Sequence, residues 1–151
     1  MKTYRYIILL FCAMLVVACD KFAVTPADIS GQPIIGHWFY SETVEEGENL
    51  FFQRLYMHVR EDGFVRYANV LCKQSMTTGL RSESKLILDY LPIKRINVKK
   101  MVLKKYPLTP QFEILLGQWP DQGQGVFEVD MLPLRSLPAD SVPDVESWHC
   151  P

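Results

Sequence analysis

The sequence predicts an all-β fold: a single antiparallel up-and-down meander of seven or eight strands, forming a small barrel or an open sheet. Two observations predict it. Segments of alternating apolar and polar residues follow one another from residue 34 to residue 135, with glycine, proline and polar turn signals between them. No long stretch keeps the 3.6-residue spacing of an amphipathic helix.

The first three strands are predicted at residues 34–42, 50–60 and 64–73. The first, IIGHWFYSE, is rich in aromatic residues. Asp62-Gly63 separates the second from the third, and an Asp-Gly pair between alternating strands is a strong hairpin signal, because both central turn positions favour positive φ. We therefore expect a tight hairpin here.

The middle of the chain is predicted as a polar loop over residues 74–83 and a fourth strand over residues 84–91, which ends at Pro92. Residues 93–106 alternate again. They form either one long strand or a hairpin that turns at Lys99-Lys100.

Two further strands are predicted at residues 111–119 and 125–134, joined by the turn-rich PDQGQ segment. Residues 136–151 contain prolines and few apolar side chains, so we expect an extended C-terminal tail. The β domain proper is thereby predicted to cover residues 34–135.

The N-terminus is typical of a secretory signal peptide. Lys2 and Arg5 precede an apolar block over residues 7–18, which is shorter than the roughly 20 residues that a membrane-spanning helix needs. Val16-Val17-Ala18-Cys19 resembles the lipobox of bacterial lipoproteins. That resemblance implies cleavage after residue 18, a diacylglycerol on the Cys19 thiol and an N-acyl chain. An ordinary signal peptide and a membrane-spanning anchor are the alternatives.

Asp20 follows the lipobox directly, and it resembles the inner-membrane retention signal of enterobacterial lipoproteins. It favours the inner membrane slightly over the outer membrane for a protein that faces the periplasm. Residues 19–33 hold two prolines, a glycine and small polar residues, so they are predicted to be a tether.

The expected mature chain has 133 residues, enough for one domain. Without Lys2 and Arg5, fourteen of the 16 basic residues remain against 17 acidic ones, a net charge of about −3. This net charge does not indicate that the protein binds nucleic acid. The oligomeric state is left open.

Cys72 and Cys150 are the two cysteines that remain after processing, and in an oxidising compartment they are expected to pair. Such a bond closes a long loop and contributes roughly 4 kcal/mol. Free thiols or a metal site with His149 are the alternatives, but the chain lacks the paired spacings of zinc sites. We expect no metal and no cofactor beyond the covalent lipid.

Gly36-His37-Trp38 resembles the GxW signature of lipocalin-like barrels. The resemblance implies that Gly36 and Trp38 are structural residues, that Trp38 plugs one end of a barrel, and that the opposite mouth accommodates an apolar ligand. A β-sandwich is the alternative architecture.

Two groups of basic residues are candidate partner-binding surfaces. Arg54 and His58 share one strand face, and Arg66 is expected to join them across the hairpin, as an anion-binding face or merely a solvated one. Lys99, Lys100, Lys104 and Lys105 belong to a run that also includes Lys94 and Arg95 and contains no acid. This run is a site for anionic headgroups or an acidic partner, or the decoration of an edge strand.

The function that these patterns favour is binding of a protein by an anchored accessory, inhibitory or immunity-type lipoprotein, with an envelope protein or a toxin as partner. The alternative is a lipocalin-like carrier of a small apolar ligand. Hydrolysis is the weakest hypothesis, because the sequence contains no GxSxG, HExxH or phosphate-binding glycine loop and therefore offers no catalytic residues.

Overall fold

The computed structural model of the protein describes residues 24–121 and 125–151. It contains eight strands: β1 (Gly36–Glu46), β2 (Asn49–Val59), β3 (Phe64–Ser75), β4 (Arg81–Asn97), β5 (Lys100–Leu103), β6 (Phe112–Leu115), β7 (Val126–Val129) and β8 (Leu132–Leu137). Two short 3-10 helices, Ala139–Ser141 and Val145–Ser147, follow β8. Within the described ranges, no helix has the length and apolar character needed to cross a bilayer.

All eight strands belong to one antiparallel sheet in the order β6-β5-β4-β3-β2-β1-β8-β7. The sheet curls into a half-barrel, and its edge strands touch where Leu116 forms a bridge with Val129. Nearby, the amide of Gly117 donates to the carbonyl of Glu128 at 3.0 Å. Strands that follow one another in the chain are therefore neighbours all the way round, and the predicted up-and-down meander is confirmed.

The predicted end of the fourth strand at Pro92 is wrong, because β4 continues through this residue to Asn97. At Pro92 the strand changes its partner from β3 to β5. The proline has no N–H to donate, but its carbonyl accepts from the amide of Lys104 at 3.1 Å. The hairpin alternative for residues 93–106 is confirmed, but it turns at Val98-Lys99, one residue before the predicted Lys99-Lys100, and Lys100 already belongs to β5.

The single strand predicted over residues 125–134 is in fact the β7–β8 hairpin. Asp130 and Met131 form its turn with φ of 49° and 66°, a conformation that side chains other than glycine rarely adopt. The Asp130 carboxylate accepts from the Tyr67 hydroxyl at 2.8 Å and from the amide of Leu115 at 2.9 Å. These tertiary hydrogen bonds, which alternation alone does not reveal, stabilise the turn.

Other strands differ from prediction mainly in length. β3 reaches Ser75 and β4 begins at Arg81, so half of the polar loop predicted over residues 74–83 is strand. β1 reaches Glu46, so it continues beyond the predicted end at Glu42 into a segment that contains Glu45 and Glu46. Its pairing with β2 supplies backbone hydrogen bonds that compensate for a low intrinsic strand preference.

The inside of the half-barrel is filled by its own side chains. Trp38 is fully buried, donates through Nε1 to the carbonyl of Ile34 at 2.7 Å and packs edge-on against Phe127. The other buried members of this cluster are Ile29, Leu55, Met57, Val59, Val65, Tyr67, Ile93, Met101, Leu103, Ile114, Leu116, Val129 and Leu134. The aromatic and branched residues at alternate strand positions therefore form one continuous core.

Residues 24–33 pack against the half-barrel, whereas the sequence predicted a tether over residues 19–33. Ile29 is buried, and the amide of Ala27 donates to the carbonyl of Ile93 at 2.7 Å. A Cβ atom at Gly63 would lie 2.5 Å from the carbonyl oxygen of Ala27, so glycine is required where this segment crosses the β2–β3 turn. Cys19, Asp20 and the predicted signal peptide lie outside the described residues.

Candidate functional site

Strands β1–β4 project beyond the end of the half-barrel. They have 11 to 17 residues each, whereas β5–β8 have 4 to 6. β1 pairs with β8 only from His37 to Phe39, and β4 pairs with β5 only from Ile93 onward. The projecting part, which we name the β1–β4 extension, comprises residues 40–46, 49–55, 69–75 and 81–86.

The outer face of the β1–β4 extension is covered by residues 138–151, which we name the C-terminal strap. Val145 and Trp148 of the strap are buried against Phe52, Tyr56 and Val70 in a second hydrophobic cluster, separate from the interior of the half-barrel. An extended tail was predicted here, but its apolar residues build a second layer on the sheet. The extension is therefore backed on one side and rigid.

Covalent and polar contacts hold the strap in place. The sulfurs of Cys72 and Cys150 lie 2.06 Å apart, at the distance of the predicted disulfide bond, and the amide of Cys150 donates to the Glu83 carboxylate at 3.0 Å. Lys85 Nζ donates to the carbonyls of Glu146 and Trp148 at 2.8 and 2.9 Å. The prediction that Cys150 pins the tail is confirmed.

The inner face of the extension is open to solvent and carries apolar residues among polar ones, which include Glu42, Gln53, Asn69 and Lys73. Val44, Leu71 and Leu86 point to the same side as the core residues of their strands, yet 45%, 41% and 39% of their surfaces are exposed. The register places Val44 opposite Phe51, which is partly exposed. These residues are exposed because the short strands β5–β8 end before reaching them.

Polar side chains link this inner face to the filled interior below it. Gln53 Nε2 donates to Asn69 Oδ1 at 3.4 Å, and Asn69 Nδ2 lies at the same distance from the Tyr67 hydroxyl. Burial, together with the neighbouring Asp130 carboxylate, raises the pKa of Tyr67, so its hydroxyl remains a neutral donor. The base of the open face is thus closed by a fixed hydrogen-bond chain.

An open groove of about 620 Å³ runs beside β1, where that strand parts from β8. Its walls are residues 39–42 of β1, Pro133 and residues 135–137 of β8. Beyond Phe39 the outer edge of β1 has no neighbouring strand among the described residues. An edge of this kind presents unpaired backbone donors and acceptors to solvent.

Two histidines lie on the outer face, beside the strap. His37 and His58 stack with ring centroids 3.8 Å apart, and each Nδ1 is hydrogen-bonded to a tyrosine hydroxyl, that of Tyr56 at 2.8 Å and that of Tyr90 at 2.9 Å. Burial, then the neighbouring His37 and Arg60, lowers the pKa of His58 to about 4. Burial also lowers the pKa of His37. Both rings are therefore neutral at physiological pH.

The three predicted binding residues of β2 and β3 share the outer face, as the alternation indicated, but other parts of the protein occupy them. Arg54 lies over the rings of Phe52 and Trp148. Arg66 forms ion pairs with Asp89 and with Glu146 of the strap, both at 3.1 Å. Their guanidinium groups hold the strap on the sheet.

The four lysines of the predicted basic surface are not equivalent. Lys99 is exposed in the β4–β5 turn, and Lys105 is exposed just after β5. Lys100 forms an ion pair with Glu113 at 3.1 Å, whereas Lys104 is buried, with 8% of its surface exposed. Lys99 and Lys105 are exposed and have no ion-pair partner among the described residues, and Lys94 and Arg95 of β4 are also exposed.

The sequence prediction missed the open inner face. A partial signal was present, since Trp38, Tyr40 and Val44 occupy alternate positions of β1, but Glu42 interrupts the apolar pattern between the last two. The unequal lengths of the strands decide which apolar residues are covered. The sequence did not reveal those lengths.

No family model, curated protein or solved structure compared with this chain gives a significant match.

Proposed function

We propose that this protein is a lipid-anchored protein of the cell envelope, facing the periplasm, and that it acts by binding another protein through the inner face of the β1–β4 extension. Its role is that of an accessory, inhibitory or immunity-type lipoprotein. The observation that carries the proposal is the exposure of Val44, Leu71 and Leu86 on one face of a sheet that is rigidly backed on the other.

Rigidity favours binding because a preorganised surface loses little entropy when a partner docks. The disulfide and the strap contacts provide that rigidity here. Contiguous exposed apolar residues with polar neighbours are typical of interaction sites. Gln53 and Asn69 on the same face offer hydrogen bonds that give the contact specificity.

Charge indicates the kind of partner. The end of the extension at the β1–β2 turn is acidic, with Glu42, Glu45, Glu46 and Glu48 in seven residues. We therefore expect the partner to present an apolar segment flanked by basic residues, because opposite charges at the rim accelerate and orient association.

The alternative function, carriage of a small apolar ligand, derives from the lipocalin-like resemblance. The up-and-down strand order is compatible with that resemblance. However, Trp38, Phe127 and Tyr67 occupy the interior where such a ligand would lie. Carriage predicts saturable binding of a fluorescent fatty acid that quenches tryptophan emission; protein binding through the extension predicts no such saturation.

The anchor is tested separately. Cells that express the protein are labelled with radioactive palmitate, and Cys19→Ser is the comparison. We expect label on the wild-type chain only, and label on both chains, or on neither, contradicts the anchor.

The docking face is tested by site-specific photo-crosslinking in cells. A photoreactive phenylalanine replaces Leu71 in one variant and Val98, which is 69% exposed in the β4–β5 turn, in the control. We expect a discrete crosslinked protein from position 71 that the second substitution Leu86→Lys removes. Identical crosslinks from both positions, or none from position 71, contradict the proposed face.

A further inference from the structure

We propose that the β4–β5 side of the protein rests on an anionic membrane surface, with the loop that follows β5 at the point of contact. This inference rests on the lipid anchor of the proposed function. It adds which face of the domain the anchor brings to the bilayer, and through which residues.

The first argument is where the chain enters the fold. The amide of Val24 donates to the carbonyl of Lys105 at 3.4 Å, and Ala27 is bonded to Ile93 of β4. Cys19 precedes Val24 by five residues, and an extended chain spans at most about 3.6 Å per residue. A lipid on Cys19 therefore keeps Val24, which is hydrogen-bonded to the Lys105 carbonyl, within about 18 Å of the attachment point.

The second argument is charge. Lys94, Arg95, Lys99 and Lys105 are exposed on this side, and residues 94–105 contain no acid. Each basic residue near an anionic leaflet strengthens attraction by roughly fivefold. The acidic end of the extension belongs to β2 and β1, which lie two and three strands away from β4 in the sheet. The same leaflet therefore repels the part of the protein that carries these acids.

The third argument is the loop after β5. Thr109 closes a turn on Tyr106: its hydroxyl donates to the Tyr106 carbonyl at 2.8 Å, and its amide donates to the same oxygen at 3.1 Å. Leu108 at the tip of this turn is 89% exposed, and Tyr106 is 43% exposed. A leucine presented beside a tyrosine and a lysine suits the boundary between headgroups and acyl chains.

The experiment measures how deeply the loop lies in the membrane. Lipidated protein carrying a spin label at Leu108→Cys is reconstituted into vesicles of phosphatidylcholine alone or mixed with phosphatidylglycerol. The matched control carries the label at Leu80→Cys, because Leu80 is 74% exposed in the β3–β4 turn. Access of a water-soluble nickel complex to each label is compared with access of oxygen.

We expect nickel access at position 108 to fall severalfold in the anionic vesicles and to remain high at position 80. The double variant Lys94→Glu, Lys105→Glu should restore nickel access at position 108. Lys73→Glu, on the β1–β4 extension, should not. High salt should also restore nickel access at position 108, because salt screens the exposed charges.

Equal nickel access at positions 108 and 80, in protein that floats with the vesicles, overturns the membrane contact and leaves the anchor intact. Protein that does not float with either kind of vesicle overturns the anchor, and with it this inference. The two failures are therefore distinguishable.

Discussion

The imidazole of His58 stacks on that of His37 across β1 and β2, with 3.8 Å between the ring centroids. The register pairs these residues directly, and it pairs His58 with Arg66 on its other side. Protonation of His58 therefore adds a positive charge among Arg60, Arg66 and a second imidazole. Asp62 is the neighbouring charge that favours protonation.

Acid is expected to destabilise the fold through this pair. The pKa of His58 is lowered from 6.5 to about 4, so between these values the unfolded chain binds more protons than the folded one. The contribution of His58 to the free energy of unfolding is complete above pH 6.5. It decreases by about 1–2 kcal/mol, after allowance for solvent screening, as the pH falls toward 4. Urea unfolding as a function of pH measures it. His58→Gln should flatten the slope over this range; an unchanged slope contradicts the assignment.

Removal of the disulfide should release the C-terminal strap. We expect the double variant Cys72→Ala, Cys150→Ala to lose roughly 4 kcal/mol of the free energy of unfolding, because the bond closes a loop of 78 residues. Hydrogen exchange should show the strap opening while the core strands stay protected. If exchange in residues 138–151 is unchanged, the packing of Trp148 alone is enough to hold the strap.

Trp148→Ala should cost about 3 kcal/mol, because it removes the largest apolar side chain that the strap buries against β1–β4. His149→Ala is the control, since this neighbour is exposed and should change stability by less than about 0.5 kcal/mol. Equilibrium unfolding in urea measures both. Equal effects would mean that the strap does not pack as described.

The β7–β8 turn offers a pair of opposite effects. Asp130→Ala should destabilise by about 2 kcal/mol, because it leaves the Tyr67 hydroxyl and the Leu115 amide without their acceptor. Met131→Gly should be neutral or stabilise by up to about 1 kcal/mol, because φ is 66° and the side chain is 81% exposed. Thermal melts compare the stability of the two variants. A loss of stability from Met131→Gly as large as that from Asp130→Ala contradicts the role given to the Asp130 carboxylate.

Local pattern was sufficient for the parts of the fold that depend on near neighbours. The Asp62-Gly63 turn lies between β2 and β3 as predicted, but of these two residues only Gly63 has positive φ, at 79°, so the expectation that both would adopt it was wrong. The burial of Trp38 agrees with what the resemblance of Gly36-His37-Trp38 to the GxW signature implied. The turn at Asp130 was not foreseen, because its support comes from Tyr67 and Leu115, far away in the sequence.

The sequence by itself determined the all-β class, the meander order and the shared face of Arg54, His58 and Arg66, because periodicity and turn chemistry are properties of the chain alone. The pairing of Cys72 with Cys150 was expected on the further premise that processing leaves these two thiols to pair. Only the tertiary structure decided that the strap contacts Arg54 and Arg66 and that Leu71 and Leu86 are left open. Which side chains are covered depends on how far each strand extends beyond its neighbours, and that is settled by packing between segments distant in sequence.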